Sequence, residues 1–263
     1  MPEYIVISLV AVTVAGLTFF SGFGLGTLLM PVFSVFFPIK IAIAATAAIH
    51  LANNIFKVLL VGRHANLKIV LLFALPGAVA AVFGAMLLNY FSALPPLASY
   101  GLWGREHVIT MEKSIIAALI MVFAAIELTP SFKNLSFDLK LIPVGGLLSG
   151  FFGGLSGHQG ALRTAFLLRA GLDKNCLIGT MVISAVVVDI SRLVIYGATF
   201  FRQDFTVLQD KGVIGLIAAG SLSAFIGSFA GARLLKKITL AGLQKMIAVM
   251  LFGLALALGC GMI

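Results

Sequence analysis

Charged residues are scarce in this sequence: Asp, Glu, Lys and Arg make up only 10% of its 263 residues. Soluble domains carry roughly 25% charged residues, so this chain has too little polar surface to cover a water-soluble globule. Acidic residues are rarer than basic ones, with 9 Asp and Glu against 18 Lys and Arg. Together these absences exclude a soluble enzyme and a disordered chain.

Two further absences narrow the class of protein. The 2 cysteines, Cys176 and Cys260, stand in apolar stretches without a CxxC or Cys/His spacing. This excludes a disulfide-stapled secreted domain and predicts no metal site. The sequence has no G-x-x-x-x-G-K-[ST] loop, which argues against ATP-driven transport by this chain alone. We therefore predict neither a cofactor nor a bound metal.

Long apolar runs dominate the sequence, which is 61% hydrophobic with a mean hydropathy of +1.15. The runs approach the ~20 residues that cross a bilayer as a helix, whereas a barrel would show short alternating segments. We predict an all-α integral membrane protein with about 8 transmembrane helices. The predicted spans are Tyr4–Phe20, Ile41–Gly62, Leu67–Phe91, Ser114–Leu128, Leu141–Leu155, Cys176–Phe201, Val213–Leu235 and Ala241–Gly261.

Two apolar stretches, Thr27–Phe37 and Ala161–Ala170, are too short to cross comfortably, and each follows a glycine cluster. Paired glycine-interrupted segments are typical of the broken or re-entrant helices at transporter binding sites. We predict one such short helix in each half of the chain.

An internal repeat organises the chain. Laid against itself at an offset of 134–135 residues, the sequence matches its glycine and polar positions rather than only its common apolar ones. We predict a first transmembrane repeat over residues 1–128, a connector over 129–140 and a second repeat over 141–263. The matched pairs include Gly16 with Gly150, Gly26 with Gly160, Lys40 with Lys174, Thr46 with Thr180, Asn54 with Asp189, and Lys57 with Arg192.

Basic loops orient a membrane protein, but here they leave two arrangements open. If the short helices dip into the membrane and return, the two repeats are predicted to be parallel. If the short helices cross the membrane, the repeats are predicted to be inverted. Both arrangements place the two termini on the outer side of the cytoplasmic (inner) membrane. The shared basic face would hold Lys40, Arg105, Lys113, Arg169, Lys174 and residues 233–245 in the first arrangement, and Arg63, Lys68, Lys133, Lys140, Arg169, Lys174 and residues 233–245 in the second.

The two glycine-rich breaks are the first candidate site. Glycines let the backbone turn and approach a ligand closely, and a helix that starts after a break points its free N–H groups at it. Arg163, just beyond the second break, offers a planar fork of donors that suits a carboxylate, sulfonate or phosphate. The alternative is that the glycines serve only close helix packing. The candidate residues are Gly22, Gly24, Gly26, Ser156, Gly157, His158, Gln159, Gly160 and Arg163.

The second candidate site lies on two spans that the repeat matches. His50, Asn53, Asn54 and Lys57 are spaced by three and four residues and so share one helical face. Their counterparts Asp189 and Arg192 are spaced i, i+3. Asp189 and Arg192 could form only a local ion pair that lowers the free-energy cost of burying both charges in the membrane. We favour one shared polar centre in which Asn53, Asn54, Lys57 and Arg192 bind an anion and Asp189 or His50 carries a coupling proton.

The motifs resemble those of the TauE/SafE sulfite-exporter family, and the resemblance covers nearly the whole chain. It rests on Gly22-Phe-Gly-Leu-Gly26 followed by Pro31, on Pro38-Ile-Lys-Ile-Ala42 leading into Thr46, on the span Pro76-Gly77…Gly84, and on repetition of the pattern in the second half. The resemblance implies an exporter or permease for sulfite, organosulfonates or sulfoacetate, driven by the membrane potential or by protons.

The sequence therefore predicts a secondary transporter of a small anion, embedded in the lipid bilayer. An anion channel or passive pore and a membrane scaffold are the alternatives. We attribute the net charge of +9 to the excess of Lys and Arg that membrane proteins carry in their loops, rather than to a surface that binds nucleic acid. We expect no enzyme activity, since no histidine follows on a later span to activate Ser156. A homodimer is compatible with the sequence.

Overall fold

The computed structural model describes residues 2–19, 24–129, 137–168, 170–203, 212–234 and 240–263. Helices make up most of them, as the long apolar runs predict. The helices are α1 (Pro2–Leu17), α2 (Leu25–Ser34), α3 (Ile39–Val61), α4 (Leu67–Ser92), α5 (Met111–Leu128), α6 (Ile142–Ser156), α7 (Gly160–Leu167), α8 (Lys174–Gln203), α9 (Val213–Leu234) and α10 (Leu240–Gly259).

Five stretches of the described residues are long and apolar enough to cross a membrane: Ile39–His64, Leu67–Ser92, Leu139–Ser156, Lys174–Thr199 and Val213–Arg233. Two shorter apolar helices are Pro2–Leu17 and Leu25–Ser34. The chain is therefore a multi-pass helical membrane protein.

Polar side chains start several of these helices. The Asn66 side chain accepts a hydrogen bond from Ile69 N (3.2 Å) at the start of α4, and Thr110 accepts one from Lys113 N (3.3 Å) at the start of α5. Asp173 accepts from Cys176 N (3.0 Å) at the start of α8. Each side chain satisfies a backbone N–H that the helix leaves without a partner.

The connector after Pro95 and Pro96 contains a short β-hairpin within the otherwise helical fold, which the sequence analysis did not predict. Strands β1 (Ala98–Leu102) and β2 (Arg105–Ile109) form an antiparallel hairpin. Trp103 lies at its tip with a φ of 52° and is 86% exposed. The alternating pattern is too short, and too close to the flanking helices, to stand out in the sequence.

Helices α4 and α6 run parallel and touch backbone to backbone. A Cβ atom added at Gly146 would meet the carbonyl of Phe73, one at Gly150 would meet Gly77, and one at Gly154 would meet Ala81. Since the residue numbers of α4 and α6 rise together along the contact, the two helices run in the same direction. Small residues let helices approach this closely in membranes.

Helices α1 and α9 repeat this parallel packing. Tyr4 lies beside Gly215 near the start of α9, and a Cβ atom at Gly227 or Gly231 would meet the backbone of Val12 or Gly16. The first helix of each half of the chain thus packs along the fourth helix of the other half.

The remaining contacts fix the direction of the central helices. Helix α8 runs antiparallel to α3, because Gly179 lies against Val61 while Asp189 lies against His50. The short helices α2 and α7 therefore lead the chain back to the end from which α1 and α6 started. We call α1 with α2 the first re-entrant pair and α6 with α7 the second. The two pairs enter the bundle from opposite ends.

The two ends of the bundle differ in charge. The end that carries β1 and β2, which we call the β end, also holds the start of α1 and the end of α10. We call the opposite end, where α3 ends and α8 begins, the basic end; Lys133 and Arg169 lie outside the described residues. The described basic residues there are Arg63, Lys68, Lys140, Lys174 and Arg233.

Candidate functional site

The polar face of α3 is buried in the bundle. His50, Asn53, Asn54 and Lys57 are 8%, 1%, 4% and 6% exposed, as expected for side chains that share one face against neighbouring helices. The oxygen Oδ1 of Asn53 accepts a hydrogen bond from Ser228 Oγ on α9 at 2.7 Å. This bond holds the α3 face against α9.

Asp189 joins this face to α8 and to the second re-entrant pair. Its Oδ2 accepts from His50 Nδ1 at 2.6 Å and from Asn54 Nδ2 at 3.3 Å. Its Oδ1 accepts from Gln159 Nε2 at 2.8 Å and from Arg192 at 2.7 and 3.1 Å. The structure thus brings the polar residues of the two matched spans together around one fully buried carboxylate.

Arg192 is held within this network rather than at a cavity wall. Besides Asp189, it donates from Nη1 to the carbonyl oxygen of Gly153 on α6 at 2.9 Å. Tyr196, one turn further along α8, donates its hydroxyl to the carbonyl of Gly154. Both side chains bind carbonyl oxygens near the C-terminal end of α6 and so fasten α8 to the second re-entrant pair.

A small cavity of about 20 Å³ lies between the polar centre and the basic end. Lys57 and Arg163 both line it, together with amide, hydroxyl and imidazole groups and several apolar side chains. Among the described lining residues there is no Asp or Glu. The lining residues are Thr18, Phe19, Leu25, His50, Asn53, Asn54, Lys57, Arg163, Ile178, Met181 and Val182.

The two cations come from different parts of the chain. Lys57 belongs to α3, and its Nζ lies 5.2 Å from the centroid of the Phe19 ring, at the tip of the first re-entrant pair. Arg163 belongs to α7 in the second pair and is 2% exposed. In the described residues Lys57 forms no ion pair. The cavity therefore concentrates positive charge between the two re-entrant pairs.

The glycine-rich breaks meet near the polar centre. A Cβ atom at Gly26 would lie 3.4 Å from the carbonyl oxygen of Gly157 and 3.7 Å from the His50 ring. Gly24 and Gly157 have φ values of 125° and 83°, a region that L side chains rarely adopt. Gly160 starts α7. These glycines thus permit both sharp turns and a close approach of the two breaks.

Ser156 and His158 lie beside the cavity rather than on its wall. The His158 Nδ1 atom is 3.1 Å from the carbonyl oxygen of Ser156, and its ring stacks on Phe123 with centroids 5.5 Å apart. The Ser156 hydroxyl donates to the carbonyl of Phe152 at 3.1 Å. Gly22, the remaining predicted site residue, lies outside the described residues.

Sequence reasoning missed Thr18, Phe19, Leu25 and the α8 residues Ile178, Met181 and Val182. Thr18 and Phe19 directly precede the first glycine cluster, which was the available signal for them. The α8 residues are ordinary apolar side chains of a predicted span, so only the packing identifies them. Among the described residues, no group of three or more His, Cys, Asp or Glu side chains could hold a metal ion.

The fold defines a multi-pass helical membrane protein with a cavity lined by Lys57 and Arg163 between two re-entrant pairs. The family model described as "Sulfite exporter TauE/SafE" matches residues 4–258, and the chain belongs to this family of membrane transporters. No curated protein and no solved structure matches the chain.

Proposed function

We propose that the chain is a secondary transporter of small anions and that the cavity is its substrate site. The observation that carries the proposal is the pair of buried cations, Lys57 and Arg163, on a cavity with no acidic group among its described lining residues. A charged side chain within the membrane costs about 2.5–3.5 kcal/mol on insertion scales. A bound anion would offset this cost for both cations at once.

The side chains that line the cavity support a small substrate with a charged end. Arg163 offers a fork of donors, and Asn53, Asn54 and Thr18 add neutral hydrogen-bonding groups around it. Sulfite, organosulfonates and sulfoacetate have the oxyanion chemistry that this wall would bind. Gly24, Gly26, Gly157 and Gly160 contribute by shaping the turns, and Gln159 and Arg192 contribute through Asp189.

The reciprocal packing supports an inverted repeat in which each half has four long helices and one short one. In each half the order is long helix, break, short helix and three further helices. The first helix of each half packs on the fourth helix of the other, and the two re-entrant pairs enter from opposite ends. Inverted repeats around a site near the middle of the membrane are typical of carriers that alternate between two open states.

The charged residues at the ends of the bundle support an orientation of the protein across the membrane. Among the described side chains, the basic end carries Arg63, Lys68, Lys140, Lys174 and Arg233 against the acidic Asp138 and Asp173. The positive-inside rule assigns such an end to the cytoplasm. Both termini would then lie outside the inner membrane, and the cavity would be nearer to the cytoplasm. A homodimer remains part of the proposal.

The His50–Asp189 pair is the candidate for proton coupling. His50 lines the cavity, and its Nδ1 faces the carboxylate. A proton added to this pair would bring a positive charge to the cavity wall when the anion binds. Flux of labelled sulfite that rises with an imposed proton gradient, and that loses this dependence in His50→Gln, would support the assignment.

An anion channel is the second candidate, and counterflow separates the two. Proteoliposomes loaded with unlabelled sulfite are diluted into labelled sulfite, and the experiment is repeated with sulfoacetate and methanesulfonate. A carrier gives saturable uptake and a transient accumulation above the equilibrium level. Linear, non-saturating flux of every anion would instead indicate a pore, and no flux of any of them would overturn the proposal.

A further inference from the structure

The tip of the β1–β2 hairpin has a backbone conformation that its first residue does not favour. Leu102 pairs with Arg105, so Trp103 and Gly104 form a two-residue turn, and their φ values are both positive, at 52° and 73°. Such a turn usually holds Asn or Gly, because a bulky side chain is strained in this region. Trp103 is also the only tryptophan of the sequence and is 86% exposed. A strained and exposed aromatic residue indicates a role for its side chain beyond forming the turn.

The hairpin lies across the end of the bundle rather than standing away from it. The Tyr100 hydroxyl, in the middle of β1, donates to the carbonyl oxygen of Cys260 at 2.7 Å. A Cβ atom added at Gly261 would lie 2.6 Å from the carbonyl oxygen of Val108 in β2. Both strands are thus held against the residues that follow α10. Trp103 is three residues further along β1 and its turn, a reach of about 10 Å past this contact.

Helix α4, which leads into the hairpin, presents one apolar stripe to lipid. Its 26 residues make it about 39 Å long, which exceeds the ~30 Å of the hydrocarbon core. The stripe recurs every three or four residues, and each of its side chains is between 54% and 61% exposed. It ends in a tyrosine, a residue typical of the boundary between lipid and water. The stripe consists of Leu71, Leu75, Val79, Phe83, Met86 and Tyr90. The hairpin therefore begins where the lipid-facing surface of α4 reaches that boundary.

We propose that Trp103 anchors the hairpin in the lipid headgroup layer at the β end. The indole ring is apolar while its N–H group donates hydrogen bonds, a combination that favours the boundary between lipid and water. The exposed neighbours Arg105 and Glu106 have opposite charges, so the attraction comes from the ring rather than from net charge. Since the hairpin joins α4 to α5 and contacts the end of α10, the anchor fixes the depth of these three helix ends in the membrane.

A protein partner fits the tip less well than lipid does. One tryptophan side chain buries about 150–250 Å², whereas a stable protein–protein contact takes about 800 Å² from each partner. The nearby Gly101 and Gly104 add no side chain, and a Cβ atom added at either would meet nothing within 4 Å. The tip thus presents a single large ring, which suits insertion between headgroups.

The test uses the intrinsic fluorescence of the unmodified chain, because Trp103 is its sole tryptophan. The protein is reconstituted in phosphatidylcholine vesicles whose acyl chains have bromine either near the headgroup or near the chain end. We expect the shallow bromines to quench Trp103 emission at least about twofold more strongly than the deep ones. Iodide, present on both sides of the vesicles, should quench it less than it quenches a free tryptophan derivative in the same buffer.

Phe83→Trp in a Trp103→Phe background is the matched control, because Phe83 belongs to the lipid-facing stripe nearer the middle of α4. The deep bromines should quench its emission more strongly than the shallow ones. Strong iodide quenching of Trp103 with no effect of either brominated lipid would place the tip in water and overturn the proposal. Protection from iodide without quenching by bromine would show that protein, such as a second copy of the chain, covers the ring, and would also overturn it.

Discussion

His50 on α3 and Asp189 on α8 lie 2.6 Å apart, from Nδ1 to Oδ2, and join the two halves of the chain at its polar centre. Asp189 also accepts from Gln159 of the second re-entrant pair. One carboxylate therefore holds three elements together directly beside the cavity. A buried network of this kind is costly when only one partner is removed.

The His50–Asp189 bond should appear as coupling in a double-mutant cycle. His50→Gln and Asp189→Asn are each expected to destabilise the protein, and the double variant is expected to lose less than the sum of the two, by about 0.5–2 kcal/mol. Thermal unfolding in detergent measures this. The pair His50→Gln with Glu106→Gln serves as the additive control, and additivity in the first pair would contradict a direct interaction.

Removal of either cavity cation should impair transport without unfolding the protein. Lys57→Gln and Arg163→Gln each remove a charge that lines the cavity, so we expect sulfite transport at low concentration to fall by about tenfold or more. Lys68→Gln, an exposed position at the basic end, is the matched control. Folded variants that transport as well as the wild type would show that the substrate binds elsewhere.

The contact between α4 and α6 should not tolerate a side chain at Gly150. A Cβ atom there would overlap the backbone of Gly77, and overpacking of this kind costs about 1–3 kcal/mol. Gly150→Ala should therefore lower the unfolding temperature by several degrees. At Gly197, where nothing lies within 4 Å of the added Cβ atom, the same change should be neutral. Equal effects at both positions would refute the close contact.

The orientation can be read by cysteine labelling in right-side-out membrane vesicles. Cys260 is exposed at the β end and should react with an impermeant maleimide in a Cys176→Ala background. A cysteine introduced by Arg63→Cys, in a background with both native cysteines replaced by alanine, should react only after the membrane is disrupted. The reverse pattern would place the basic end outside.

Much of the fold follows from the sequence because the bilayer imposes strict demands on it. The run over α4 is long and apolar, and a helix is the only way to satisfy its backbone within lipid. The spacing of His50, Asn53, Asn54 and Lys57 likewise predicts one buried face, as the structure has it. The small hairpin β1–β2 was missed because it lies in a connector, where the bilayer makes no such demand.

The site was only partly predictable, because contacts between distant segments have no local signal. The spacing of Asp189 and Arg192 indicates their ion pair but leaves open what else they touch. The bond from Arg192 to the Gly153 carbonyl depends on how α6 packs beside α8. The approach of Lys57 to Phe19 similarly depends on where the first re-entrant pair ends inside the bundle.

The parallel packing of α1 on α9 has a consequence for how the chain is made. Synthesis delivers α1 first, and the glycine-bearing surface against which it rests, Gly215 to Gly231, emerges only with the penultimate helix. Until then α1 lacks this surface, while α2 already has α3 to pack against. The cavity beside Lys57 and Arg163 includes Thr18 and Phe19 from the tip of the first re-entrant pair, so an incompletely synthesised chain lacks the packing that holds these two lining residues in place.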